Sequence, residues 1–266
     1  MRKIIEFLVS ILMDKERDGG KLNKQLSGLQ QSEEDERDYN ANLLGLFDKK
    51  PKNYSLPIDP YKYVKDQGSW NSCASHSIAT CLEIAYDLSD TNKKGIELSE
   101  RFHYNKVRHL NGYFPDNKGQ TMRDSMKIAQ QFGICPEKLC PYISSEMNDN
   151  LGMFTESFAK WWRIKHYYKL YFKSQIKDML LQNRPVNIGL KINNSFRRNS
   201  GRIEVVKGER LFGGHGVLIF DYNDVSKEYS IINSWGKDWK DKGICKLPYN
   251  YIDDYMYDMF TFTIMN

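Results

Sequence analysis

Apolar positions along this chain follow two different periods. From Cys73 onward, Ala74, Ile78, Cys81, Leu82 and Ala85 recur at the spacing of one face of an amphipathic helix. Met122 to Phe132 repeats that spacing and predicts a second helix, which Gly133 ends. The second half of the chain changes character. Val186–Ile192, Gly216–Tyr222, Tyr229–Asn233 and Gly243–Leu247 are short strand-like runs between turn formers, and Phe260–Ile264 reads as one more strand. Between the halves, Trp161 to Lys173 mixes aromatics with Lys and Arg. This predicts a half-buried strand in preference to a stacking platform for single-stranded nucleic acid. The expectation is an α+β protein, helical first and β second.

The N-terminal part reads differently. Met1 to Met13 has a charged start and a short apolar run interrupted by Glu6, with no small-residue cleavage site after it. About ten apolar residues cannot span a bilayer, so an amphipathic helix is expected rather than a signal peptide or a membrane span. Asp14 to about Asn53 is polar and charged, includes the acidic run Ser32 to Asp38, and reaches Lys49-Lys50-Pro51-Lys52. It reads as a leader joined to the fold by an exposed linker, with Lys49–Lys52 open to cleavage. The expected organisation is a leader at 1–53 and a folded domain at 54–266, helical to about 155 and β from about 156.

Composition limits the rest. With 266 residues, 40% of them hydrophobic and 13% aromatic, the chain can bury a substantial core. A net charge of +5 with both signs mixed along the chain selects no anionic partner. There is no repeat, phosphate-binding glycine loop or zinc-type Cys/His spacing. No metal, organic cofactor, nucleic-acid partner or membrane span is implied.

The chemistry starts at Cys73, which opens the first helix. A helix N-terminus favours thiolate over thiol. Cleavage of a peptide bond by a thiol also needs an imidazole, a group that orients it, and a donor to the oxyanion. Cys73, His215, Asn233 and Gln67 are the candidates for those roles, with Cys73 and His215 expected to rest as a thiolate–imidazolium pair. His76, three residues along the helix from Cys73, reads as a packed helix histidine.

The segment Gln67-Gly68-Ser69-Trp70-Asn71-Ser72-Cys73, with Gly214-His215-Gly216 and Asn233-Ser234-Trp235-Gly236, resembles the papain family of cysteine peptidases. In that family a Gln six positions before the Cys contributes to the oxyanion hole, and the Asn of an Asn-Ser-Trp-Gly run fixes the imidazole. Asp35-Glu36-Arg37-Asp38, the run Gly133 to Glu137 and the ending Leu247 to Ile252 are similar to its compact microbial and viral members. The resemblance implies a two-lobed fold with a helical N-terminal lobe, a β-barrel-like C-terminal lobe and the active site in the cleft between them. It implies a cysteine-type endopeptidase acting on protein or peptide substrates, made as a zymogen whose N-terminal segment is an intramolecular inhibitor. It further implies that Trp235 covers the Asn–His bond and that Gly119, Gln120, Thr121 and Met122 form a substrate-binding wall. Thr121 and Met122, with Gly189 and Gly213, would line an open, mainly apolar S2 pocket. Gly213 and Gly214 would leave space beside the His.

The chain also departs from the family pattern. Trp70 stands at one position of a family disulfide and Asn117 at the other, Asn71 replaces a Gly, and Ala74 replaces an aromatic residue. With that bridge lost, the five cysteines point to a reducing intracellular compartment or a virion rather than secretion. Cys81 and Cys245 read as buried free thiols. A local bridge between Cys135 and Cys140 is left open. Two other readings share the motifs: an inactive papain fold kept for binding, and a Cys–His acyltransferase or deamidase.

Overall fold

The computed structural model describes residues 28–152, 154–199 and 201–265. The helix expected at residues 1–13 lies outside them. Helix α1 (Cys73–Asp87) forms over the first predicted helical run, and almost all of it is buried, including polar Ser75, Ser77, Thr80 and Glu83. Helix α2 (Glu100–Leu110) follows Ser99, whose Oγ accepts the Phe102 N–H at 3.0 Å. Helix α3 (Met122–Gln131) is capped in the same way by Thr121, whose Oγ1 accepts the Asp124 N–H at 3.0 Å. It stops before Gly133, as expected. Gly133 has φ +82°, and a Cβ there would overlap the Ala159 carbonyl, so both conformation and space require glycine.

Four shorter helices complete the set: α4 (Thr155–Ala159), α5 (Ser174–Leu181), α6 (Asn194–Arg197) and α7 (Tyr249–Tyr255). The strands are β1 (Tyr39–Asn40), β2 (Asn53–Ser55), β3 (Ile164–Lys169), β4 (Val186–Lys191), β5 (Gly214–Asn223), β6 (Glu228–Ile232), β7 (Ile244–Pro248) and β8 (Met256–Ile264). They form one sheet in the order β1-β3-β8-β4-β5-β6-β7, with β2 also paired to β5. The β lobe is therefore an open sheet and not a closed barrel. Only β1 runs parallel to its neighbour.

One apolar core joins the helices to the sheet, and a smaller cluster of Phe102, Cys135, Cys140 and Ala159 lies beside it. Contact between the two layers is tightest where α1 begins. A Cβ on Gly216 of β5 would sit 3.4 Å from the Ala74 backbone and the Cys73 carbonyl carbon. This close approach brings the residue before it, His215, to the start of α1.

Residues 32–52 do not behave as a loose linker. Lys50 Nζ pairs with buried Asp178 at 2.6 Å, the Pro51 carbonyl accepts the Tyr222 hydroxyl at 2.9 Å, and the Lys52 carbonyl accepts the Asp224 N–H at 2.7 Å. Lys49, Pro51 and Lys52 are exposed, as expected, but the stretch is fastened to the fold and is not a loose linker. A buried carboxylate needs a partner, and Lys50 supplies one.

Candidate active site

Cys73 is the first residue of α1 and is fully buried. His215 is the second residue of β5 and pairs in register with Leu190 of β4. Its Nε2–H donates to Asn233 Oδ1 at 2.7 Å, and its Nδ1 is buried without a hydrogen-bond partner. Trp235 lies against the imidazole with ring centroids 4.6 Å apart, and Phe196 meets it edge-on at 5.8 Å. These rings exclude water from the Asn–His bond, which strengthens it. Trp239 packs behind them and donates its indole N–H to the Phe196 carbonyl at 3.0 Å.

Gln67 is held at both ends. Its backbone N–H donates to the Ser234 carbonyl at 2.8 Å and its Oε1 accepts the Ser234 hydroxyl at 2.7 Å. Its Nε2 donates to the Trp70 carbonyl at 2.7 Å, leaving a second amide hydrogen. Gln67, His215 and Asn233 are therefore tied together through the Asn233–Ser234 pair, beside the start of α1 where Cys73 lies.

No disulfide ties the Gln67–Cys73 loop to the opposite wall; hydrogen bonds do so instead. Asn117 Oδ1 accepts the Asn71 N–H at 2.8 Å and the Tyr104 hydroxyl at 2.9 Å, while Asn117 Nδ2 donates to the Ser69 carbonyl at 3.1 Å. Asn71 Nδ2 returns a bond to the Asn117 carbonyl at 2.8 Å. Trp70 packs on Tyr104 and against the Arg108 guanidinium. All five cysteines are free thiols, and the Cys135 and Cys140 thiols are hydrogen-bonded to each other, not bridged.

The cleft is occupied by the chain itself. The Leu29 N–H donates to the Gly214 carbonyl at 3.0 Å and the Gln30 N–H to the Gln120 carbonyl at 2.8 Å, so Gly28–Gln30 bridges the two walls. The backbone N–H groups of Gly28, Gly216, Ala74 and Cys73 itself favour the Cys73 thiolate. The Gly28 carbonyl faces Gly119, where a Cβ would fall 1.3 Å from its oxygen. Leu29 is buried against Gly189, where a Cβ would lie 2.8 Å from its Cδ2, and against Tyr257, whose hydroxyl donates to the Leu29 carbonyl at 3.3 Å.

The residues expected to form a substrate wall are divided in their uses. Gln120 turns its side chain inward, accepting from the Ser75 hydroxyl at 2.9 Å, and leaves its carbonyl for strand pairing. Thr121 spends its hydroxyl on capping α3, and Met122 is buried in the core. Those two do not line the pocket beside Leu29, which is formed by Gly213, Gly214, Gln31, Lys191, Leu211 and Tyr257. Of the residues expected to line S2, Gly213 borders this pocket, while Thr121 caps α3 and Met122 packs in the core. Phe196 and Tyr257 were missed. Each reaches the site from a distant part of the chain, and no local pattern marks it.

Burial governs the electrostatics. It pushes the Cys73 thiol up to about 11 against the lowering effect of the four N–H groups. It pushes His215 down to about 4, opposed by the bond to Asn233 and reinforced by the nearby His76. His76 is held low by the same burial; its Nδ1 lies 3.1 Å from the Ser72 carbonyl and its ring packs edge-on to Tyr142. With the cleft covered, burial disfavours both the Cys73 thiolate and the His215 imidazolium.

A thiol at a helix N-terminus, faced by an Asn-bound imidazole on a strand across a cleft between helical and β layers, defines the papain-like fold. The chain belongs to the papain family of cysteine proteases, whose family model matches residues 56–260. A peptidase C1-like protein of Acanthamoeba polyphaga mimivirus is 26% identical over 203 residues, covering 71% of this chain and 65% of that protein. The thiol protease aleurain of Arabidopsis thaliana is 28% identical over 194 residues, covering 69% of this chain and 51% of its own length. The chain thus spans about two thirds and about half of these relatives. Xylellain, a cysteine protease from Xylella fastidiosa, shares the fold at a TM-score of 0.83 and 24% identity, covering 92% of this chain and 98% of that one. Procathepsin B S9 from Trypanosoma congolense does so at 0.66 and 16% identity, covering 91% and 87%.

Proposed function

We propose that this chain is a cysteine endopeptidase held as a zymogen by its own N-terminal segment. Cys73 attacks the substrate carbonyl carbon, and His215 takes the thiol proton through Nδ1 and returns it to the leaving amine. Asn233 orients the ring through Nε2, and Gln67 donates its remaining amide hydrogen to the oxyanion. Residues Gly119 and Gln120 on one wall, and Gly189, Gly213 and Gly214 on the other, receive the substrate backbone as an added strand.

The observation that carries this reading is the Gly28–Gln30 segment, an extended peptide paired to both walls directly over the thiol. Its Gly28 carbonyl is turned toward Gly119 on the opposite wall, and the segment fills the space a substrate backbone would take. This supports inhibition by occupancy.

The test is peptide hydrolysis by the activated protein. Cys73→Ala and His215→Ala should each lower kcat/KM by roughly three or more orders of magnitude with folding intact, and Asn233→Ala should cost less. Substantial hydrolysis by Cys73→Ala would rule out the assignment. Product masses showing transfer to an amine in place of hydrolysis would favour the acyltransferase reading.

A further inference from the structure

Residues 28–52 are held in two unequal ways. The cleft-crossing part, Gly28 to Gln31, rests on two backbone bonds to the walls, the Tyr257 hydroxyl and the Leu29 side chain, and Gln30 and Gln31 are exposed. From Ser32 onward the contacts change in kind. The Ser32 N–H donates to Asp258 Oδ2 at 2.9 Å, and its hydroxyl accepts the Arg123 N–H at 3.2 Å. Asp38 is buried in a forked pair with Arg123, whose Nε lies 3.0 Å from both carboxylate oxygens and whose Nη1 donates to the Glu33 carbonyl. Ala41 is sealed in the core, and Gln175 Nε2 donates to Asn42 Oδ1 at 2.6 Å and Asn40 Oδ1 at 3.2 Å. The buried Asp178 carboxylate accepts the Phe47 N–H at 2.8 Å and Lys50 Nζ at 2.6 Å. Strand β1 covers the edge of β3.

We propose that the activating cut falls ahead of Ser32, at the exposed Gln30–Gln31 stretch, and that residues 32–53 remain a permanent part of the active peptidase. The proposal deepens the peptidase reading above and rests on it. Removal at Lys49–Lys52 would strip partners from Arg123, Asp178 and Asp258, three buried charged side chains, and would bare the β3 edge. Of the described residues, a cut ahead of Ser32 removes only Gly28–Gln31, which cross the cleft at Cys73. The leader is then two parts with different fates: a releasable plug up to Gln31, and a built-in wrap from Ser32 to Lys52.

The full chain tests this when a recognition sequence for an unrelated site-specific protease is inserted either between Gln31 and Ser32 or between Asp48 and Lys49. After cutting, gel filtration with intact mass reads which piece stays bound. A fluorescent peptidyl epoxide reads thiol competence. The first cut should release the N-terminal piece, leave the melting temperature unchanged, and speed Cys73 labelling by at least about tenfold. The second should leave the piece ending at Asp48 bound and labelling slow. Departure of that piece from a remainder that stays folded and labels quickly would overturn the proposal, as would fast labelling after the second cut alone. Slow labelling after both cuts, with residues 32–48 retained, would instead count against the peptidase reading while supporting the built-in wrap.

Discussion

At the scale of single residues, the chain was most legible where chemistry fixes identity and spacing together. Cys73, His215, Asn233 and Gln67 are each proposed for a role that few other residue types fill, and they lie together in the folded site. Phe196, Tyr257 and Asp258 act through contacts made only after distant segments meet, so their neighbours in sequence say nothing about them. Asn71 was legible as a departure from a family glycine but not as the residue that limits what lies in the cleft. A Cβ on Gly28 would fall 2.5 Å from the Asn71 carboxamide, well inside contact distance, and Asn71 is fixed by Asn117. Gly28→Ala should therefore lift the plug and raise epoxide labelling of the uncut chain, with the melting temperature little changed. Labelling no faster than in the parent chain would mean that the plug does not depend on this contact.

At the scale of elements, α1, α3 and the strands β3 to β8 follow from periodicity because each has one clearly apolar face or a short apolar run. Helix α2 did not. Its inward face carries Arg101, His103, Asn105 and Arg108, all buried and hydrogen-bonded, so the apolar period is masked by polar groups satisfied in the fold. Strands β1 and β2 have two and three residues, and their partners impose them. The ion pair that fastens β1 is equally invisible in sequence, since the Asp38 and Arg123 side chains become 1% and 5% exposed only on folding. Asp38→Asn leaves the Arg123 charge buried without its carboxylate and should cost about 3–5 kcal/mol of stability. Urea unfolding of the full chain measures it, and a loss under about 1 kcal/mol would mean that the pair is not a fastening of residues 32–52.

At the scale of the whole molecule, a helical half followed by a β half was readable from the change of period, and so was the cleft between them. The openness of the sheet was not, because closure depends on which strand edges meet. Nor was the division of the N-terminal segment, whose polar composition conceals Ala41, Asp38 and Ser32 packed inside the fold. The central claim is that Cys73 and His215 form a competent pair masked by residues 28–31. Burial favours the thiol below about 11 and the neutral imidazole above about 4, so between these limits the covered pair is uncharged and unreactive. Release readmits water and lets the helix N-terminus and the imidazole stabilise the thiolate. The most direct measurement is the iodoacetamide alkylation rate of Cys73 against pH, in the full chain, after the cut ahead of Ser32, and in the same cut form carrying His215→Ala. The cut form should react quickly near pH 6, the His215→Ala form appreciably only above about pH 8, and the uncut chain slowly across this whole range because burial raises its thiol to about 11. If all three rose together above about pH 8, Cys73 would be an ordinary thiol and the account would fail.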